Sequence, residues 1–292
     1  MRKRPGFSVR QAVIILGIVA LVGVAGWMFR GVIRDWKDLL VKPVVPTPMV
    51  FVPRATSSLP TLSAPTSSEE KPPTPTPVVA PSTQEKPIIQ PGEKPPIVEA
   101  PLSQEVNLAV PFLSQAPTGD WSDPYQEACE EASMIMVDAF YRGQTRISSE
   151  EGDAAILNVV AFEETFVDGR QDITAEETAA ILRLQYGYKN VQVLPIAEAS
   201  DIKKILARGY PVIVPAYGKA LGNPNFRNGG PKYHMLVIKG YLKDGRFITN
   251  DPGTRKGADY VYTERVLMNA IHDLNGGDVQ NGKKLMIVVM PS

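Results

Sequence analysis

Sixteen of the chain's 27 prolines fall between Pro43 and Pro101. Proline lacks a backbone N–H and has a fixed φ, so a stretch this dense continues neither a helix nor a central strand. The 292 residues are thereby divided before any fold is considered. An apolar segment precedes the proline-rich region, and an ordinary globular remainder follows it.

The apolar segment, residues 11–29, reads QAVIILGIVALVGVAGWMF and carries no charge between Arg10 and Arg30. Nineteen helical residues span roughly 28 Å, which matches the hydrocarbon core of a bilayer. The expectation is a single transmembrane signal-anchor helix. Arg2, Lys3, Arg4 and Arg10 precede it, so residues 1–10 are placed in the cytoplasm and everything after Phe29 on the outer face of the cell membrane. A cleaved signal peptide is the rival reading. Against it, the run is longer than a typical signal core, and its small-residue exit near Val24–Gly26 is poor.

From Pro46 to Ala100, Pro, Ser, Thr, Glu and Lys dominate. Such a composition has too little apolar surface to offset ordering entropy. Residues 30–105 are therefore read as a juxtamembrane segment and a disordered, partly polyproline linker. Fully extended, about 60 such residues reach on the order of 190 Å, enough to tether a domain well away from a surface.

Residues 106–292 alternate helix patterns, apolar runs and turns, and are read as one domain. Helix-patterned segments come first: Glu127–Tyr141, then SSEEGDAAILNVVAFEETF with Ser149 as N-cap, then a segment opened by a Thr174/Glu177 capping box. Mostly hairpin-connected strands follow, including MLVIKGY at Met235–Tyr241 and its return partner Arg246–Thr249 across the turn Lys243-Asp244-Gly245. Helices followed by hairpins indicate an α+β fold with a mostly antiparallel sheet. In the first helix Ala132, Met136, Ala139 and Phe140 recur at spacings of three and four, the pattern of one buried face.

Chemistry-bearing residues are scarce. Cys129 is the only cysteine, and the histidines are His234 and His272. Cys129 falls where a loop punctuated by Pro117, Gly119 and Pro124 becomes a helix. The N–H groups and positive dipole end of the first turn favour a thiolate there. His234 opens a strand, where a rigid sheet can aim an imidazole at a nucleophile on a packed helix. Asp251, in FITNDPG, follows the neighbouring strand and is placed to fix the imidazole tautomer. The blander readings are an inert buried cysteine, a core histidine and a turn aspartate. His272 is read as structural.

The runs VPFLSQAP, ACEEAS, YHMLVIKGY and FITNDPG, in that order, resemble the extracytoplasmic branch of the bacteriocin-processing, double-glycine-leader cysteine peptidase-like family. The resemblance covers about Val110–Met290. It implies a papain-like fold, with Cys129 as nucleophile, His234 as base, Asp251 as orienting acid and Gln115 as donor to the oxyanion. Two departures stand out. Glu130 and Glu131 follow the cysteine where relatives often carry glycine, and carboxylates so close oppose a thiolate unless they point to solvent. The insert APTGDWSDPY lengthens the Gln115-to-Cys129 separation. Its Trp121 is read either as lining a substrate groove or as anchoring the loop. The loop Gly218–Lys232 is either a rim over the site or a structural excursion.

Other chemistries lack supply. One cysteine and two histidines do not make a zinc site of the usual kind, so no metal or organic cofactor is expected. The loop GNPNFRNGGP has neither the phosphate-cradle pattern nor its lysine. The 31 basic and 31 acidic residues cancel, and no basic aromatic patch suggests nucleic acid. The expected function is a membrane-anchored, extracytoplasmic cysteine peptidase or amide hydrolase acting on a peptide or cell-wall amide. The alternatives are an inactive peptide- or wall-binding module on a stalk, and an acyltransferase using the same triad. Oligomeric state is open.

Overall fold

The structure, a computed structural model, describes residues 43–50, 104–167 and 171–290. The basic N terminus, the apolar run 11–29 and nearly all of the Pro-rich linker lie outside the described residues. Among those described, no helix is long and apolar enough to cross a membrane.

In chain order the elements are β1 (Val106–Asn107), α1 (Cys129–Tyr141), α2 (Ser149–Phe166), α3 (Ala175–Leu184), β2 (Val191–Pro195), α4 (Ala199–Ala207), β3 (Val212–Ala216), α5 (Gly218–Leu221), β4 (His234–Tyr241), β5 (Phe247–Asn250), β6 (Tyr260–Tyr262), α6 (Glu264–Ala270) and β7 (Leu285–Val289). The strands form one antiparallel sheet in the order β2-β7-β3-β4-β5-β6. β1 pairs with the end of β4 beyond the reach of β3. Helices first and an antiparallel sheet after them make the fold α+β, as the pattern requires.

β3 and β4 are buried along their whole length, which the apolar runs VIVPA and MLVI demand of central strands. The register of β4 shifts between Ile238 and Gly240, a bulge at Lys239. Gly240 is fixed by β1: a Cβ there would stand 2.1 Å from the Val106 carbonyl oxygen. β1 is thereby drawn against the sheet, and the chain is led from it toward α1.

α1 departs from the expected single buried face. Eleven of its 13 residues are buried, because β4 packs on it from one side and α2 and α3 from others. A helix covered all round is a core helix. Its first turn, Glu130 and Glu131 included, is therefore carried into the interior.

α2 and α3 begin in full capping boxes, Ser148/Glu151 and Thr174/Glu177. The cap of α2 is thus Ser148, one residue before the expected Ser149. α6 ends at Ala270, and His272 follows just beyond it. Part of the stretch assigned to the linker also meets the domain. Met49 bridges Leu108 in parallel, and Asn107 Nδ2 donates to the Pro46 carbonyl at 2.6 Å.

Candidate active site

A 3₁₀ turn at Tyr125–Glu127 delivers the chain into α1, and Cys129 is the first residue of that helix. The turn is clamped from behind. Gln115 Nε2 donates to the carbonyls of Tyr125, at 2.9 Å, and Gln126, at 2.7 Å. Both amide hydrogens of Gln115 are thus engaged in setting where the helix begins. Gln115 is itself tied to the sheet, since its backbone N–H donates to the Pro252 carbonyl at 3.0 Å. One residue therefore links the cysteine turn to the loop that bears Asp251.

The cysteine is 5 % exposed, and its thiol donates to Glu130 Oε2 at 2.9 Å. The backbone N–H of Met235, the residue after His234, points at the same sulfur. Burial pushes the Cys129 thiol well above its ordinary range, and the charge and hydrogen bond of Glu130 add to the rise. The Met235 N–H works in the opposite direction without overcoming them. The expectation that the helix N terminus favours a thiolate is overruled: at rest the sulfur is a neutral thiol. The dipole contribution is small beside the desolvation of a buried charge.

The condition that the two glutamates face solvent is not met either. Glu130 is fully buried and Glu131 is 4 % exposed. Burial raises both carboxyls well above the usual carboxylate range. Glu130 spans the sulfur and the far side of the helix, its Oε1 accepting from the Ile173 N–H at 3.4 Å.

On the sheet, His234 Nε2 and Asp251 Oδ1 are 2.8 Å apart, both residues wholly buried. β4 and β5 are hairpin partners, Val237 opposite Asn250, which sets the histidine and the aspartate on adjacent strands. Burial opposes the charge on Asp251. The charge and hydrogen bond of His234, with bonds from the Tyr262 hydroxyl and the Gly253 N–H, outweigh it and hold the carboxyl below its usual value. The Tyr262 hydroxyl donates to Oδ2 at 2.6 Å, and Asn223 Nδ2 approaches the same oxygen at 3.4 Å. Every lone pair of this carboxylate is directed, which fixes the plane of the imidazole that donates to it. With Nε2 committed, Nδ1 is left buried and without a partner among the described residues. That nitrogen is the one open for a proton.

Two further contacts hold the imidazole. The Phe226 ring meets it edge-on at 5.4 Å between centroids. Gly253 lies against it so closely that a Cβ would stand 2.8 Å from His234 Cε1. A glycine at this place in the DPG run is required by the approach.

Sequence reasoning singled out Cys129, His234, Asp251 and Gln115, and the structure relates them as follows. His234 and Asp251 bond directly, Cys129 meets the backbone of Met235, and Gln115 spans the two sides. His272 lies elsewhere, its Nδ1 2.8 Å from the Gly282 carbonyl. Tyr262, Asn223 and Phe226 were missed. The loop Gly218–Lys232 is no mere rim, since it supplies Asn223 and Phe226 to the pair. Trp121 is half-buried in its loop. Among the described residues no group of His, Cys, Asp and Glu side chains is arranged to hold a metal ion.

A thiol at the head of a buried helix, set against a sheet that presents a histidine–carboxylate pair, is the arrangement of cysteine peptidases. Residues 107–272, more than half of the chain, match the Peptidase_C39 like family, and the chain belongs to that family. No curated protein sequence matches it. Among solved structures it is similar to one designated a C39-like peptidase from Bacillus anthracis, at 17% identity and a TM-score of 0.43, covering 64% of this chain and 98% of that one. A fragment of prointerpain A from Prevotella intermedia is similar at 16% identity and a TM-score of 0.32, covering 49% of this chain and 43% of that one.

Proposed function

We propose that this chain is a membrane-tethered, extracytoplasmic cysteine peptidase that cleaves a peptide or wall-peptide amide through Cys129, His234 and Asp251. One observation carries the reading: the His234–Asp251 pair leaves Nδ1 buried and without a partner among the described residues, while the N–H of the next residue, Met235, favours charge on the Cys129 sulfur. Nδ1 takes the thiol proton, and the sulfur attacks the scissile carbonyl carbon. The tetrahedral intermediate expels the amine, which recovers the proton from Nδ1, and a thioester remains. Water, deprotonated by the same nitrogen, hydrolyses the thioester and restores the thiol. Asp251 keeps the Nε2 proton in place throughout and offsets the charge of the imidazolium. An oxyanion role for Gln115 requires its amide to release one of the two carbonyls it holds. The tether rests on the uncharged run 11–29, its basic flank and the Pro-rich stretch behind it.

The Cys129–Glu130 bond favours a second reading, a binding module whose thiol is stoppered. The test is stoichiometric alkylation of Cys129 at neutral pH in the full-length chain, together with peptide hydrolysis. Hydrolysis and labelling abolished in Cys129→Ala and suppressed in His234→Ala support the peptidase. A thiol that stays unlabelled in the native chain, with no hydrolysis, leaves the module. Aminolysis products formed with added amine, in place of hydrolysis, indicate acyl transfer.

A further inference from the structure

β1 pairs with β4 along one side. Its other side is an edge, whose backbone donors and acceptors need partners of their own. A segment of the chain that precedes the bulk of the Pro-rich stretch supplies them. The Met49 N–H donates to the Asn107 carbonyl at 2.7 Å, and the Ala109 N–H donates to the Met49 carbonyl at 2.7 Å. Asn107 Nδ2, on a residue only 1 % exposed, donates to the Pro46 carbonyl at 2.6 Å. Asn107 thus grips the segment by main chain and side chain together. The sequence KPVVPTPMV suits this seat. Pro43, Pro46 and Pro48 have a fixed φ and no N–H to leave unmatched, and Met49 brings the N–H that the edge accepts. Val44 and Val50 stay 93 % and 65 % exposed, so directed hydrogen bonds rather than apolar burial hold the segment. Val50 follows the bridged Met49, and Gln104 stands two residues before β1, so residues 51–103 leave from and return to the same edge of the domain.

We propose that residues 43–50 are a strap that shortens the membrane tether: while it is seated on β1, residues 30–42 alone join the domain to its anchor, and the domain is held close to the membrane surface. The inference rests on the membrane-tethered reading above. A stretch with both ends on the domain adds nothing to the distance between domain and anchor, whatever its length. Residues 30–42 reach about 45 Å at full extension. The Pro-rich stretch placed in line would reach on the order of 190 Å. The strap is also able to open. Hydrogen bonds of this kind contribute about 0.5–1.5 kcal/mol each, and the segment makes three. The entropy of closing the intervening stretch grows only with the logarithm of its length, so a long stretch hardly opposes the seat. Release returns residues 43–103 to the tether and gives the peptidase a second, longer working distance.

The experiment places the full-length chain in phosphatidylcholine–phosphatidylglycerol vesicles and compares it with Met49→Pro, which deletes the N–H received by Asn107. Met49 is 49 % exposed, so the variant spares the core. Exchange of the Ala109 N–H reports the seat directly and is expected to be about tenfold faster in Met49→Pro. Energy transfer to a labelled lipid, from a dye on Lys243→Cys in a Cys129→Ala background, reports the distance to the bilayer. It is expected to fall about threefold in Met49→Pro as the reach lengthens. Equal Ala109 exchange in the two chains overturns the strap. Unequal exchange with unchanged energy transfer, in chains that float with the vesicles, overturns the shortened tether. A chain that does not float with the vesicles sinks the membrane reading, and the exchange comparison still decides whether the segment is seated.

Discussion

The thiol of Cys129 donates to the carboxyl of Glu130, its immediate neighbour, at 2.9 Å. Both groups are driven toward their neutral forms by burial; Glu130 adds to the rise at the thiol, whereas the thiol's hydrogen bond eases ionisation of Glu130 without overcoming its burial. The residue that follows the cysteine thus carries a side chain that engages the thiol proton. The resting site is restrained by that bond.

Glu130→Gln should therefore ease ionisation of the sulfur. Burial remains, but the group that opposes a thiolate, by its charge when ionised and by its hydrogen bond to the thiol, becomes an amide that is neutral at every pH. The pH profile of Cys129 alkylation is expected to move to lower pH by about one unit, a tenfold gain in labelling rate at neutral pH. The measurement is the iodoacetamide rate between pH 6 and about pH 10. An unmoved profile, or one displaced to higher pH, rules out the restraint.

Asp251→Asn should leave the fold and remove the tautomer control. The amide offers His234 Nε2 a donor or an acceptor, so Nδ1 is no longer reserved as the base. A loss of about 10²–10⁴ in kcat with little change in KM is expected. Tyr262→Phe keeps the carboxylate but frees Oδ2 from its 2.6 Å bond. It is expected to lose roughly tenfold in kcat and about 1–2 kcal/mol of stability. Steady-state kinetics with thermal melts distinguish the two. Equal losses from both variants would contradict an orienting role for Asp251 beyond packing.

Gly253→Ala tests the close approach beneath the imidazole. The added methyl meets His234 Cε1 at 2.8 Å and Phe226 Cε1 at 3.0 Å, so the ring or the loop has to shift. Overpacking of this kind destabilises by about 1–3 kcal/mol. The expected signature is a lower melting temperature together with peptide turnover reduced at least tenfold. A variant with full turnover would show that the ring is not held in place from this side.

The triad candidates were legible because supply was short. A single cysteine at a loop-to-helix boundary, two histidines and a hairpin turn at Lys243–Gly245 leave few ways to assemble a thiol site. The sheet was legible in its apolar runs. The burial of Glu130 and Glu131 was not legible, because the sequence left open whether they face solvent and β4, α2 and α3 enclose the helix from several sides. That enclosure is a tertiary fact with no local signature. Asn223 and Phe226 were hidden in a loop whose Gly and Asn content signals turns and nothing about what it covers. Tyr262 stands opposite Phe247, four residues from Asp251, so register gives no sign that its hydroxyl reaches that carboxylate.

The buried acids also give the domain a pH dependence opposite to that of a salt-bridged carboxylate. Burial pushes Glu163 up to about 7, and Glu131 is raised by burial and by Glu163 and Glu130 beside it. A carboxyl whose folded pKa exceeds its unfolded one binds more protons when folded. The stability it contributes is full below the unfolded value near 4.5 and is lost as pH rises through the folded value. For Glu163 the window is therefore about pH 4.5 to about pH 7, and on the order of 2–3 kcal/mol is at stake. Asp251 acts in the other direction, but only in strong acid, because its folded value lies below its unfolded one. The melting temperature is thus expected to be higher near pH 5 than near pH 8, with the decline falling mainly between them. Glu163→Gln, which is neutral at every pH, should flatten that decline without lowering stability at the alkaline end. A melting temperature that rises from pH 5 to pH 8, or a decline as steep in Glu163→Gln as in the unsubstituted chain, would show that the buried pair is not the source.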